Sequence, residues 1–370
     1  MNPYTQNLIL PTFDFLILTF HFSIHFMKKT IFLSIALIFV FINLFAQSSD
    51  SASVYFEKGM VEKNARRYRE AEKHFRKSIE FNGSNLESQL QLANALMEQR
   101  RYVEARDIYL KAEAIDASNP IVIENLMTLS YNTRKWEDAI KYAKKWQQIQ
   151  PGKGAYFMIA QAYYEMENYG EAVKFCEAAY KDDPKNPKVT YIAARAFMDM
   201  NNYKKAAGCF EQALALDSSN ATWMYEAGLA WYAVPDDKKS LYWIEKAGQK
   251  GYKKTNDYME NLASAYINTG NFEKGIGIME ELLKNKPQDT ELLYSIAESY
   301  YKIKKYQEAI DYWDKILAID KKNANALYMI GMAYQKKGDT AKGTQLCDKA
   351  IEMDPSLKKL KEERKMPGGL

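Results

Sequence analysis

The amino-acid sequence predicts an all-α fold, a solenoid in which one helix–turn–helix unit is copied about nine times. A column of small residues recurs about every 34 positions. Its members are Ala71, Ala105, Ala139, Ala172, Ala206, Gly275, Ala309 and Gly343. Within each half of a unit the apolar residues are three or four positions apart, which is the helical period. Units of this kind are expected to stack on their neighbours around one continuous core.

Further columns define the two helices of each unit. A second column of mostly small residues lies twelve positions before the first, as close contact between two helices requires. Its members are Gly59, Ala93, Met127, Ala160, Ala194, Gly228, Ala263, Ala297 and Gly331. Most copies have an aromatic residue three positions before the first column and a bulky residue four positions after it. Pro151, Pro184, Pro287 and Pro355 mark the ends of second helices, because proline cannot continue a helix.

This pattern resembles the tetratricopeptide repeat, and segments such as NYGEAVKFCEAAYKDDPKNP carry the resemblance. The resemblance implies a right-handed superhelical solenoid. The copies align at 52–85, 86–119, 120–152, 153–186, 187–220, 221–255, 256–289, 290–323 and 324–357. Copy 221–255 departs from the pattern, with Ser240 in the alanine column and the ending KAGQKGYKKTN. We interpret it as a copy with an irregular turn; the alternative is a related, slightly longer class of two-helix repeat.

The first 46 residues differ in composition from the rest of the chain. From Met27 the sequence reads MKKTIFLSIALIFVFINLFAQ, with Lys28 and Lys29 followed by an apolar stretch and by Ala46. This order predicts a secretory signal peptide at 27–46, cleaved after Ala46, and an over-extended start at 1–26. The LFAQ ending resembles signal peptides common in the Bacteroidetes. The expected location is therefore the periplasm or the cell exterior.

A retained leader is the alternative, and it would anchor the chain in the inner membrane. The apolar stretch 31–46 is shorter than the roughly 20 residues that span a bilayer, which favours cleavage. At the other end, KKLKEERK predicts a solvated helix that caps the last repeat, within a terminal segment 358–370 whose tail is frayed.

Composition argues against catalysis and against nucleic-acid binding. The chain has 51 basic and 47 acidic residues, a net charge of +4, and the charges are interspersed rather than gathered in a basic block. His74 is the single histidine after the leader, so histidine-assisted catalysis has almost no candidate residues. No phosphate-binding loop or cluster of metal ligands stands in the sequence. We expect no enzyme activity, cofactor or metal, and we expect carboxylate pairs such as Glu280 and Glu281 to be solvated.

The three cysteines are expected to be buried thiols. Cys176, Cys209 and Cys347 all fall in second helices, and there is no CxxC pair. A bridge between Cys176 and Cys209, in adjacent copies, is the alternative in an oxidising compartment.

The resemblance also implies a binding face. In the tetratricopeptide family the first helix of each copy lines a concave groove that usually binds a peptide or another protein. Three positions before the small column of the first helix, six of the nine copies have an aromatic residue, whereas aromatic residues make up 14% of the whole chain. The candidate partner-binding residues are Phe157, Gln161, Tyr164, Tyr191, Arg195, Tyr225, Tyr232, Tyr294, Tyr301 and Tyr328. The alternative is that these aromatic side chains pack between neighbouring helices.

Together these features predict a non-enzymatic scaffold or adaptor of the cell envelope. It would bind a protein or peptide partner in a preformed aromatic groove by non-covalent burial and a few hydrogen bonds. The alternative function is carbohydrate or peptidoglycan binding through the same aromatic residues, since aromatic rings stack on sugars. Membrane contact is expected only if the leader is retained.

Overall fold

The computed structural model describes residues 50–358, and these form eighteen α-helices and one short 3₁₀-helix, with no β-strand among them. The helices are α1 (50–64), α2 (Tyr68–Phe81), α3 (Leu86–Glu98), α4 (Tyr102–Ile115), α5 (Pro120–Asn132), α6 (Trp136–Ile149), α7 (Ala155–Glu165), α8 (Tyr169–Asp182), α9 (Pro187–Asp199), α10 (Tyr203–Leu216), α11 (Ala221–Ala233), α12 (Asp237–Gln249), α13 (Asn256–Asn268), α14 (Phe272–Asn285), α15 (Thr290–Lys302), α16 (Tyr306–Ile319), α17 (Ala324–Lys337) and α18 (Thr340–Met353). The 3₁₀-helix spans Pro355–Leu357. The predicted all-α solenoid fold is confirmed.

The described helices belong to two compact units that divide between Pro151 and Gly152, and we call the helices before this point unit 1 and those after it unit 2. Within each unit, odd-numbered helices are the first helices of a pair and even-numbered helices the second. Each pair, such as α3 with α4 or α17 with α18, packs together, and a second helix also contacts the first helix of the next pair in the same unit, as α4 contacts α5. The core of each unit therefore runs along the stack.

The predicted signal peptide lies outside the described residues, as does the capping segment beyond Lys358. Both remain predictions. Within 50–358, no helix combines the length and the apolar character needed to cross a membrane.

Polar side chains fix where first helices begin. The side chain of Asn85 accepts a hydrogen bond from the backbone N–H of Ser88, and Asn220 accepts one from Trp223 in the same way. Such caps satisfy backbone donors that the first turn of a helix leaves without a partner. The asparagines before α3, α5, α9, α11 and α17 all serve this purpose.

The turn inside a pair has one conformation that recurs in both units. The residue five positions before the small column has a positive φ, as in Arg100 (59°), Arg134 (58°) and Lys304 (66°). Gly270 (81°) and Gly338 (105°) occupy the same place, where glycine adopts that conformation without a steric penalty. The sequence columns therefore repeat because the backbone repeats.

The two small columns lie where the helices of a pair touch. Ala93 and Ala105 are fully buried at the contact between α3 and α4. The helices α17 and α18 approach closely, since a Cβ atom added to Gly331 would lie 2.8 Å from the carbonyl oxygen of Gly343. In the irregular copy, Ser240 takes the alanine position fully buried, and its hydroxyl has no hydrogen-bond partner in the described part of the chain.

Candidate functional site

All ten candidate partner-binding residues lie on first helices of unit 2, but they differ in exposure. Tyr232 is 46% exposed, whereas Tyr225 is 8% and Tyr328 2% exposed. The others are half-buried, with part of each side chain at the surface: Phe157, Gln161, Tyr164, Tyr191, Arg195, Tyr294 and Tyr301.

Arg195 lies at the centre of a cluster formed by α7 and α9. Its guanidinium carbon is 4.9 Å from the ring centroid of Tyr164 and 6.0 Å from that of Tyr191, so two aromatic faces hold one cation. The hydroxyl of Tyr164 donates a hydrogen bond of 2.7 Å to Oδ2 of Asp199. Burial, together with the charge of the nearby Glu226 carboxylate, raises the pKa of Tyr191 to about 12. Both phenols therefore keep their protons at neutral pH and act as donors.

Glu226 on α11 extends the cluster and has unused hydrogen-bonding capacity. Its Oε1 accepts a hydrogen bond from the hydroxyl of Tyr191 over 3.4 Å. Its Oε2 is buried and has no partner among the described residues. Burial raises the pKa of Glu226, against the opposing effects of the Tyr191 hydrogen bond and the Arg195 charge. The ring of Trp223 stacks on Tyr191 at 4.6 Å and closes this side of the cluster.

Tyr225 and Tyr328 belong to the packing between helices. Tyr225 stacks on Tyr252 with ring centroids 4.5 Å apart, and its hydroxyl accepts a hydrogen bond of 2.8 Å from Nδ2 of Asn261. Tyr328 packs in the core beside Cys347. For these two residues the inter-helix alternative is the observed placement, because their rings are enclosed by the next helices.

The remaining candidates are spread along the first helices. Tyr294 and Tyr301 both contact Trp313, at centroid distances of 6.3 and 5.9 Å. Phe157 packs beside the core around Cys176. The structure thus brings together Tyr164, Tyr191 and Arg195 in one cluster, which we call the Arg195 cluster, completed by Asp199, Trp223 and Glu226.

Family models match most of the region that this fold occupies. A tetratricopeptide repeat model matches residues 56–120 and 191–251, and a second one matches 324–357. The chain is a tetratricopeptide repeat protein. A model described as anaphase-promoting complex, cyclosome, subunit 3 also matches this repeat protein, at residues 132–213 and 235–316.

Several solved structures are similar to the repeat protein, at low sequence identity. YrrB, a protein whose structure is described as having an unusual peptide-binding site, is 21% identical, with a TM-score of 0.42 over 52% of this chain and 98% of its own. MamA from Desulfovibrio magneticus RS-1 is 17% identical, with a TM-score of 0.41 over 46% of this chain and 97% of its own. The C-terminal part of a repeat protein from Cytophaga hutchinsonii is 17% identical, with a TM-score of 0.46 over 65% and 98%. No curated protein sequence matches the chain.

Sequence reasoning missed Asp199, Trp223 and Glu226. Asp199 follows Arg195 by four positions, one helical turn, and this spacing is a signal that could have been used. Trp223 and Glu226 gave no comparable signal, because their contacts with Tyr191 form between helices of different repeats.

Three carboxylates on second helices form contacts that the sequence analysis did not predict. Glu280 is not simply solvated as predicted: it accepts hydrogen bonds from the hydroxyls of Tyr300 (2.9 Å) and Tyr312 (2.8 Å) of the next repeat. Two earlier carboxylates, Glu211 and Glu245, do the same for aromatic donors of the repeats after them. We call Glu211, Glu245 and Glu280 the ladder carboxylates; each stands five positions after the small column.

The donors to the ladder carboxylates occupy fixed positions as well. Trp231 and Trp243 donate their indole N–H groups to Glu211 over 3.0 and 3.4 Å. The ammonium of Lys239 lies 3.7 Å from the centroid of the Trp231 ring and 3.4 Å from Glu211. Each ladder carboxylate therefore joins two consecutive repeats, Glu211 and Glu280 through two aromatic donors and Glu245 through Tyr266.

No disulfide joins Cys176, Cys209 or Cys347 in the structure, so the alternative of a Cys176–Cys209 bridge is not observed. Cys176 and Cys347 are buried as predicted, and Cys209 is partly buried. Within 50–358, no group of three or more metal-binding side chains comes together.

Proposed function

We propose that this repeat protein is a non-enzymatic scaffold that binds a peptide or protein partner across the first helices of unit 2, with the Arg195 cluster as the centre of the binding face. The family supports the general role, because tetratricopeptide repeats serve protein–protein interaction. The specific support is the Arg195 cluster itself. It presents half-buried aromatic faces, a cation and a carboxyl oxygen without a partner among the described residues, a combination suited to burying an apolar side chain while bonding a polypeptide backbone.

A matched set of variants tests this proposal. Tyr164→Ala with Arg195→Ala removes the outer part of the cluster without touching the buried core positions. Tyr242→Ala is the control, because Tyr242 is 52% exposed and lies on the second helix α12. Crosslinking capture from envelope extract should recover a partner with the wild type and the control, at least about tenfold less with the double variant, as expected for loss of a central contact. Equal recovery by all three proteins would contradict the proposal.

We also propose that the leader directs the protein to the cell envelope and is removed after Ala46. The order of basic, apolar and small residues in 27–46 supports this. N-terminal sequencing of the protein from its native cells should begin at Gln47. A sequence that begins at or before Met27 would favour the retained anchor.

A further inference from the structure

Unit 2 contains a cavity of about 400 Å³ between the second helices α8 and α10, above the first helix α9. Its floor is mostly apolar, formed by Val189, Ala193 and Phe197 with the thiols of Cys176 and Cys209, and Glu177 lines it. The cavity shares no residue with the Arg195 cluster, so binding in the cavity is independent of the proposed function. A volume of this size is enough for a small aromatic molecule.

The repeat pattern explains why the cavity forms here. Glu177 stands five positions after Ala172, which is the place of the ladder carboxylates in later repeats. The two donor positions that would serve it are filled by Phe197, in the place of Trp231, and Cys209, in the place of Trp243. Phenylalanine has no donor, and cysteine is much smaller than tryptophan. Glu177 therefore accepts no hydrogen bond among the described residues, and a ring-sized space lies beside it.

The equivalent places in the same chain show which chemistry fits. At Glu211 the space is filled by two indole rings that donate to the carboxylate, and at Glu280 by two phenol rings that do the same. A ligand that completes the pattern at Glu177 needs a flat aromatic ring and one N–H or O–H donor.

The two thiols do not make the cavity a good candidate for a reactive or metal-binding site. Burial raises the pKa of Cys176 to about 12, and it raises the pKa of Cys209 as well. Thiols of this kind stay protonated at neutral pH and are poor nucleophiles and poor ligands for metals.

We propose that this cavity binds an aromatic ring that carries a hydrogen-bond donor, of the indole or phenol class, with the donor on Glu177 and the ring against Phe197 and Cys209. The ligand takes the place that Trp243 fills beside Glu211. Its source is either a free small aromatic molecule or a tryptophan or tyrosine side chain of a polypeptide.

The first experiment measures binding of 5-fluoroindole to the purified protein by ¹⁹F NMR. For so small a ligand we expect a dissociation constant of about 0.1–1 mM. Methylation of the indole nitrogen removes the donor, so 5-fluoro-1-methylindole should bind about tenfold more weakly, as expected for a hydrogen bond to a charged group. In Glu177→Leu the two compounds should bind equally. Absence of saturable 5-fluoroindole binding, or an unchanged preference in Glu177→Leu, would overturn the proposal.

The second experiment fills the cavity with a larger side chain of the protein itself. Cys209→Trp places an indole where Trp243 stands in the next repeat, so it should raise the melting temperature and weaken 5-fluoroindole binding at least about tenfold. Cys209→Ser keeps the volume and should bind as the wild type does. A folded Cys209→Trp protein that binds 5-fluoroindole like the wild type would refute the site. If that variant does not fold, the donor comparison with Glu177→Leu decides alone.

Competition distinguishes the two sources. N-acetyl-tryptophanamide carries an amide group on both sides of its indole, as a residue in a polypeptide does. If it displaces 5-fluoroindole, the cavity admits a side chain of a partner; if only free indole does, the cavity serves small aromatic molecules. Displacement by neither compound would overturn the proposal.

Discussion

The two units differ in the groups that most often join one repeat to the next. In unit 1, Glu72 on α2 receives the guanidinium of Arg101 at 2.6 Å, and Asp138 and Glu113 pair with Arg106 and Lys145 in the same manner. The Glu113 carboxylate also accepts a hydrogen bond of 2.8 Å from the hydroxyl of Tyr142. In unit 2 the carboxylates at such contacts mostly receive indole and phenol groups, as Glu211 and Glu280 do. The same helix pair can therefore be stacked through ions or through aromatic donors, and the two kinds of contact respond differently to solvent conditions.

Helix pairs also differ in how closely their two helices approach each other, and this difference gives the largest expected effect. Unit 1 accommodates alanine at both contact positions of α3 and α4, but α17 and α18 meet at Gly331 and Gly343. In Gly331→Ala the new Cβ atom would lie 2.8 Å from a backbone oxygen and 2.9 Å from a backbone nitrogen. We expect a loss of about 2–3 kcal/mol in the local free energy of unfolding. Amide hydrogen exchange of α17 and α18 measures it.

Gly208→Ala is the control for that substitution. Gly208 lies within α10, and a Cβ atom added there meets nothing within 4 Å. The control should gain about 0.5–1 kcal/mol, because alanine favours a helix over glycine. Wild-type exchange rates in Gly331→Ala would show that α17 and α18 accommodate a Cβ atom at this contact and would remove the difference between this pair and the pair α3 and α4.

The second prediction concerns the ladder carboxylates. Replacing both Tyr300 and Tyr312 by Phe leaves the half-buried Glu280 without its two donors, and we expect a local loss of about 2 kcal/mol. Hydrogen exchange of α14 to α16 should accelerate accordingly. Tyr180→Phe, which removes an exposed hydroxyl that forms no hydrogen bond with the described residues, should change nothing. If the double variant is as stable as the control, the hydrogen bonds to this ladder carboxylate do not stabilise unit 2.

The third prediction uses the sign of two pKa shifts. Burial raises the pKa of Glu226, so its folded form binds a proton more readily than the unfolded chain does. This group therefore destabilises unit 2 at neutral pH, and the effect disappears as the pH falls through the folded pKa to the unfolded one. Glu226→Gln should raise the unfolding free energy by about 1 kcal/mol at pH 7. The gain should shrink toward zero near pH 4, and urea titrations at both pH values measure it.

Glu72 in unit 1 has the opposite sign. Burial raises its pKa, but hydrogen bonds from Gln99 and Arg76 and the charges of Arg76 and Arg101 outweigh burial, and the net pKa lies below the ordinary value. Its contribution to stability is present above the unfolded pKa and is lost as the pH falls through the folded pKa. A gain in Glu226→Gln that is equal at pH 7 and pH 4 would contradict the assignment of opposite signs.

The smallest expected effect is that of salt. Raising the ionic strength screens the partly exposed ion pairs of unit 1 and should lower the local stability of α2 to α4 by about 0.5 kcal/mol. Hydrogen exchange of α14 to α16, measured in the same samples, serves as the internal reference because uncharged phenols supply the donors there. Equal salt responses in the two segments would show that the ion pairs contribute no more than the aromatic contacts.

The repeat could be predicted from the sequence because its cause is local. A positive φ occurs five positions before the small column in each copy, and most copies also have a polar cap before the first helix and a small residue at each helix contact. Repetition then turns weak single signals into a strong one. Ser240 shows the limit of the pattern, since it keeps the buried place but not the residue type.

The site was predicted less well because its contacts cross between repeats. Tyr191 and Tyr225 occupy the same column, yet Tyr225 is enclosed by Tyr252 from the irregular ending and by Tyr258 of the next copy, whereas Tyr191 keeps part of its surface. The prediction that Glu280 is solvated rests on its own position on a helix, whereas its hydrogen-bond partners lie 20 and 32 residues further along the chain. A column read within one copy does not reveal what the next copy places against it.

The ladder carboxylates bear on how such a chain can change its length during evolution. Each one contacts residues that stand at fixed places in the next copy, so the partners are interchangeable between copies. In-frame loss of residues 256–289 would bring Tyr300 and Tyr312 against Glu245 instead of Glu280, with donor and acceptor still matched. Duplication of the same stretch would do likewise. This part of the molecule is therefore built so that whole copies can be added or removed by recombination without leaving a carboxylate unmatched at the junction.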